Sequence, residues 1–352
     1  MILSTATRRI HAAFIDLCLR KNDPVLSFFR NNQVTTTIPL AIYVVLLHLA
    51  AWLGYVHPPE VSGAEGGLLY RTLCSWITES HIFSAATATL LVFIQSLLVN
   101  NIADEFRLLG ERNWLPGLFY ALVASSLPDF ILLSPPLIAA TFIPISMRRI
   151  LKAYKIPNAT ALIFDAAFWM AVGSLFYPPA FFLLLAAYAG INVMRSFNIR
   201  EQLVFITGVC VPFFLCWLGY FWYDQGGAFF QTQFGGLFGW YGFSMQMNLE
   251  TMLKAGLLAL LFLAVLLSYS AHFYRKLIQA QKCIAVLYWF LFIGGLAVLL
   301  RNDPSPAYFL LLMPSTGIFL SMSVSGLRNR LIAEIIHLAI LGAVVFIQFY
   351  PK

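Results

Sequence analysis

Residues able to do chemistry gather in one stretch of this chain. His57–His81 reads HPPEVSGAEGGLLYRTLCSWITESH and collects His57, Glu60, Glu65, Arg71, Glu79 and His81. Smaller groups lie elsewhere: Asp129, the run Arg301-Asn302-Asp303, and Asp224, Glu250 and Lys254. These acids read either as solvated loop charge or as a polar site on one face of the molecule. A second stretch, Asp224–Leu249, reads DQGGAFFQTQFGGLFGWYGFSMQMNL. It has no Lys or Arg and is rich in Gly, Gln and aromatic residues. Glycine permits irregular backbone, and aromatic rings suit a membrane interface. Asp165, in ALIFDAAFW, stands apart inside an apolar run, where a charge is costly. It reads as an ion pair with nearby basic residues, or as a proton or substrate group.

Other chemistry is missing. No GxxxxGK[ST], HExxH, GxSxG or GxGxxG motif occurs. The five Cys have no CxxC spacing, so neither a zinc site nor a disulfide framework is expected. No cofactor and no metal is expected.

The scaffold carrying these groups can be read from composition. Of 352 residues, 60% are hydrophobic and 11% charged, whereas soluble domains carry about 25% charged residues. Thirty-two Phe, 15 Tyr and 8 Trp exclude a disordered chain. Apolar runs lie near 37–56, 82–100, 114–133, 135–151, 160–177, 179–195, 203–223, 250–271, 284–300, 307–325 and 332–350. At about 20 residues per crossing this predicts an all-α polytopic membrane protein of about eleven transmembrane helices. The diprolines at 135–136 and 178–179 divide paired spans, because proline disfavours helix continuation. Pro116, Pro128, Pro144, Pro212 and Pro314 are expected to kink spans. His48, Gln95, Asn192 and His337 are expected to bond between helices. Cys210 and Cys216 are expected to pack as small residues.

Basic residues then set orientation. Eighteen of the 22 Lys and Arg fall in alternate connections, leaving Arg71, Lys254, Arg301 and Lys352 on the other side. The positive-inside rule predicts a cytoplasmic N-terminus and a periplasmic C-terminus. The same topology accounts for the net charge of +7 without nucleic acid. Residues 1–33 are expected to form an amphipathic cytoplasmic segment, in which Ile10, Phe14 and Leu17 share a helical face, or a basic tail. Residues 34–352 form one transmembrane domain with outer loops near 57–81 and 224–249. Within the first loop, Leu68–Ile77 reads as an in-plane helix.

Two resemblances add to this. The stretches ERNWLPGLFYALVASSLPDFILLSPPLIAATFIPISMRRILKAY and IFDAAFWMAVGSLFYPPAFFLLLAAY resemble an uncharacterised family of polytopic inner-membrane proteins from one Gram-negative phylum, some labelled as carotenoid oxygenases. That label needs converging iron ligands, and the six His here are dispersed. More broadly, one span is followed by an acidic outer loop with an in-plane helix and then by paired spans. This order resembles the GT-C class of membrane glycosyltransferases, which use polyprenyl-phosphate sugar donors. The resemblance implies Glu60 or Glu65 as catalytic base, with Glu79 behind them. It also implies Arg71 or Arg301 as donor-phosphate ligands, since a planar guanidinium matches phosphate. Asp129 and Asp303 complete the candidate substrate-binding set, and the aromatic loop 229–243 would cover lipid or sugar. GT-C enzymes often pair acids in this loop, whereas Glu60 and Glu65 are five residues apart. The expected partners are membrane lipids, polyprenyl-phosphate among them, in a bacterial inner membrane. Two other readings remain open: a non-catalytic subunit or scaffold of an envelope secretion or assembly complex, with a protein partner, and a transporter or lipid flippase.

Overall fold

The computed structural model describes residues 25–30, 34–56, 66–74, 77, 80–235, 237, 249–267, 277–299, 306–327 and 329–349. The elements among the described residues are all helical. A short α1 (Val25–Arg30) precedes α2 (Thr37–Leu47) and α3 (Leu49–Trp52), which His48 separates. Then come α4 (Leu68–Leu73), α5 (His81–Glu105), α6 (Leu115–Ala124) and α7 (Pro135–Lys152). The chain continues through α8 (Thr160–Phe176), α9 (Leu183–Met194), α10 (Ile199–Trp222), α11 (Gly226–Phe234) and α12 (Leu249–Leu267). It ends with α13 (Ile278–Leu299), α14 (Met313–Ser325) and α15 (Arg330–Phe349).

Each of the predicted apolar runs contains helix. Among the described residues, five helices are long and apolar enough to cross a membrane: His81–Glu105, Ile199–Trp222, Ile278–Val298, Pro306–Ser325 and Arg330–Phe349. The others are shorter. The chain is a multi-pass membrane protein.

The central helix departs most from expectation. The run 114–133 predicts one long span, but α6 stops at Ala124 after ten residues. Ten residues rise about 15 Å, half a bilayer core. Every residue of α6 is buried, and so is nearly all of 125–134. Irregular backbone at membrane depth is tolerated when protein surrounds it. Here Gln348 Nε2 donates to the Ser125 carbonyl at 2.6 Å and Leu133 N–H donates to Ser84 Oγ at 3.1 Å.

Prolines behave more simply than expected. Pro116 and Pro314 lie in the first turns of α6 and α14, and Pro128 opens a short 3-10 turn, Pro128–Phe130. These positions need no amide donor, so they bring no kink. Pro144 and Pro212 do lie inside helices. Each diproline begins a new helical element, α7 in one case and the 3-10 segment Pro178–Phe182 before α9 in the other.

Buried polar groups tie helices together. Tyr120 donates to Gln95 Oε1 at 2.6 Å, and Gln95 Nε2 donates to the Leu137 carbonyl at 2.8 Å. Tyr43 meets His337 at 3.0 Å, and Gln202 donates to Asn192 at 3.0 Å. His48 differs. Its Nδ1 bonds the Val44 carbonyl of its own helix at 3.0 Å. Cys210 is exposed on α10 instead of packing.

Contacts between connections sort by charge. At the basic end, Glu105 pairs with Arg148 at 2.6 Å and Lys152 at 2.9 Å, and Arg149 with Asp165 at 3.5 Å. Asp165 is thus engaged as an ion pair. Glu334 of α15 accepts the Leu26 N–H at 3.0 Å, holding α1 at this end with Leu26 and Phe29 in the core. At the opposite end, Lys254 pairs with Asp129 at 2.7 Å, and His81 Nε2–H donates to the Val56 carbonyl at 3.1 Å.

Candidate functional site

The site grows from the end of α8. Tyr177 precedes Pro178, and proline forces the residue before it out of helical geometry. Tyr177 is accordingly extended (φ −140°, ψ 103°) and α8 stops at Phe176. A helix end leaves its last carbonyls without helical partners. Both long loops supply those partners. Gly67 N–H from the first loop donates to the Phe176 carbonyl at 2.9 Å. Gln233 Nε2 from the second donates to the Ser174 carbonyl at 2.6 Å.

The docking is close. A Cβ at position 67 would sit 2.1 Å from the Leu175 carbonyl oxygen, so only glycine fits. Beneath the loops, Leu68, Leu175 and Phe229 form a buried cluster flanked by Leu69, Phe213, Cys216, Trp217, Tyr220 and Phe234. Gly208 lets α10 approach α8, since a Cβ there would lie 2.8 Å from the Phe164 carbonyl. That crossing brings Phe213, Trp217 and Tyr220 under the loops.

Arg71 occupies the last turn of α4 and is exposed. Its Nε donates to the Gly66 carbonyl at 2.9 Å, which fixes the guanidinium beside the loop backbone. Burial pushes the Tyr70 phenol up to about 12, with Cys74 adding to the shift. Burial also pushes the Cys74 thiol up. Both stay neutral near pH 7 and neither can serve as a base there. The arrangement is a buried apolar and aromatic cluster with a held guanidinium at its edge.

Of the stretch expected to lie in the membrane plane, Leu68–Leu73 is helical. The aromatic loop contributes α11, whose Phe229 is buried and whose Phe230 is exposed. Among the candidate residues, Arg71 lies in this site. Asp129 lies in the 128–130 turn and faces Lys254, with side chains only 19% and 12% exposed. Glu60, Glu65, Arg301 and Asp303 lie outside the described residues, as do Glu79 and His57. Sequence reasoning passed over Gln233. Its amide is 1% exposed and its Oε1 has no hydrogen-bond partner among the described residues. The clue available was a pair of Gln residues in a loop with no charge.

Together these features define a class: an all-helical, multi-pass membrane protein with two loops docked over one helix end. The solved structure of ArnT from Cupriavidus metallidurans, bound to undecaprenyl phosphate, has this fold. It matches with a TM-score of 0.50 at 12% identity, over 86% of this chain and 58% of that one. The chain therefore spans a little over half the length of that protein. At this identity the likeness is one of fold, and it supports the GT-C-like architecture. No protein-family model and no curated protein matches the sequence, so the resemblance to the uncharacterised inner-membrane family stands on the quoted stretches alone.

Proposed function

We propose that this chain is an inner-membrane protein of cell-envelope biogenesis, related to GT-C glycosyltransferases and handling a polyprenyl-phosphate-linked sugar or lipid. The N-terminus is cytoplasmic, the C-terminus periplasmic, and the chain makes about eleven crossings, as its alternating basic loops require. The site is the outer end of α8. The observation that carries the reading is the shared fold with ArnT, a protein solved bound to undecaprenyl phosphate. The docked loops support it, since they set Arg71 at the edge of an apolar floor.

In this reading Arg71 binds the donor phosphate, with Arg301 as a second cation. Glu65, joined by one peptide bond to the Gly66 that Arg71 holds, or Glu60, acts as base. The base takes the proton of an acceptor hydroxyl, and the hydroxyl oxygen attacks the sugar's anomeric carbon. The bond from that carbon to the phosphate oxygen breaks, and its electron pair leaves with the polyprenyl phosphate. Arginine stabilises the phosphate charge as it develops. Asp129 and Asp303 are assigned to sugar binding.

Native mass spectrometry of the gently extracted protein tests this. A retained polyprenyl-phosphate species is expected, lost in Arg71→Ala and kept in the double variant Glu60→Gln, Glu65→Gln, which should lose transfer. Unchanged transfer in that double variant would remove the assigned base. A stoichiometric protein partner with no polyprenyl lipid would establish the scaffold reading instead.

A further inference from the structure

The basic end holds a second, different arrangement. Three ion-pair groups there are internally matched: Glu105 with Arg148 and Lys152, Asp165 with Arg149, and Glu201 with Arg195. Two lysines are not matched in this way. Lys155 Nζ lies 5.4 Å and Lys282 Nζ 5.0 Å from the centre of the same ring, Tyr154. No carboxylate among the described residues pairs with either. Cation–π attraction is weak at an exposed site. Two ammonium groups sharing one ring also repel each other. An anion bound by both would offset that repulsion.

The platform is rigid. Lys155 has a left-handed backbone (φ 58°), which a lysine adopts only when its surroundings impose it. Arg195 lies against this turn. One nitrogen of its guanidinium donates to the carbonyls of Ala153 and Ile156, bracketing the turn. Its Nε and other terminal nitrogen are held by Glu201. Tyr154 packs against the main core. The two lysines are thus presented by a braced turn and by α13, not by a loose loop.

Below Lys282, α13 carries Trp289 and Leu296 at successive seven-residue steps, which places all three along one face. Trp289 and Leu296 are exposed, at 41% and 44%, as is Phe292 beside them. A cationic head site therefore tops an exposed apolar stripe on a helix long enough to cross the membrane.

We infer that Lys155, Lys282 and Tyr154 bind the phosphate headgroup of an anionic phospholipid, whose acyl chain runs along Trp289 and Leu296. The site is separate from the loops over α8 and does not depend on the function assigned to them. Lipid is the source because the apolar stripe continues from the cations into the membrane-crossing part of α13. A free phosphate would have no use for it.

Native mass spectrometry of the full chain tests this, with phosphatidylglycerol or phosphatidylcholine titrated into the micelle. One phosphatidylglycerol should be retained in preference to phosphatidylcholine. Lys155→Asn with Lys282→Gln should weaken that preference about thirty-fold, the effect of two lysines on an anionic headgroup. Asparagine is chosen because it tolerates the left-handed backbone. Trp289→Ala should weaken phosphatidylglycerol and phosphatidylcholine alike, a few-fold, with the charge preference intact. Three results would overturn the inference: an unchanged preference in the double variant, an equal loss in Arg200→Gln elsewhere on the same end, or displacement of the lipid by equimolar inorganic phosphate. The last would make this a free-anion site.

Discussion

The two ends of the bundle are held by different physics. At the basic end, side chain grips side chain: Glu105, Asp165 and Glu201 each meet an arginine or lysine within 3.5 Å. At the other end, beside the single Lys254–Asp129 ion pair among the described residues, loops grip backbone. Gly67 and Gln233 both bond carbonyls that α8 leaves free where proline ends it. Charge at the first end is largely spent on the fold. At the second end, Arg71 is tied to the Gly66 carbonyl and lies at the edge of the apolar cluster.

That contrast can be broken by substitution. The largest effect should come from Glu201→Gln. Arg195 and Glu201 have side chains only 16% and 8% exposed. Removing one partner of a buried pair costs about 3–5 kcal/mol. Denaturation in detergent should show it, together with loosening of the 153–156 turn.

Next is Gly67→Ala. A methyl group 2.1 Å from a backbone oxygen cannot be relieved by a rotamer change. Overpacking of this kind costs about 1–3 kcal/mol. Proteolysis of the 57–81 loop should accelerate and lipid retention at the α8 end should fall, while phosphatidylglycerol retention at Lys155 and Lys282 persists. Loss of both would mean that the ends are not independent.

Asp129→Asn should cost about 2 kcal/mol, between the buried and surface cases, because the pair with Lys254 is mostly shielded. Thermal unfolding measures it. If Asp129 also binds sugar, turnover should fall by more than stability explains.

The smallest effect belongs to Glu105→Gln. Glu105 is 30% exposed, and pairs of that kind contribute less than about 1 kcal/mol. A larger shift in melting temperature would mean that the basic end acts as one network.

Much of this was legible in advance. Hydropathy located helix in every apolar run. Asp165 was expected beside the arginines of its own connection and pairs with Arg149. A helix beginning at Leu68 followed from alternating apolar and polar residues. Other features were hidden. The end of α6 at Ala124 carries no strong breaker, because burial on all sides allows irregular backbone there. Glu334 of α15 captures the Leu26 amide far away in sequence, a pairing that no local pattern marks. Pro116 and Pro314 looked like kinks because a sequence does not show where a helix begins to within two residues.

The membrane as solvent, the helices and the sorting of charge between connections are all written in the residues themselves. They follow from side-chain transfer energies and from the placement of Lys and Arg, which are local properties of each segment. Which loop meets which helix end emerges only when the chain packs. The acceptors at α8 are main-chain carbonyls, identical at every residue, so no pattern of side chains announces that Gly67 and Gln233 will meet there. Likewise, two lysines 127 positions apart share Tyr154 only once the chain has packed.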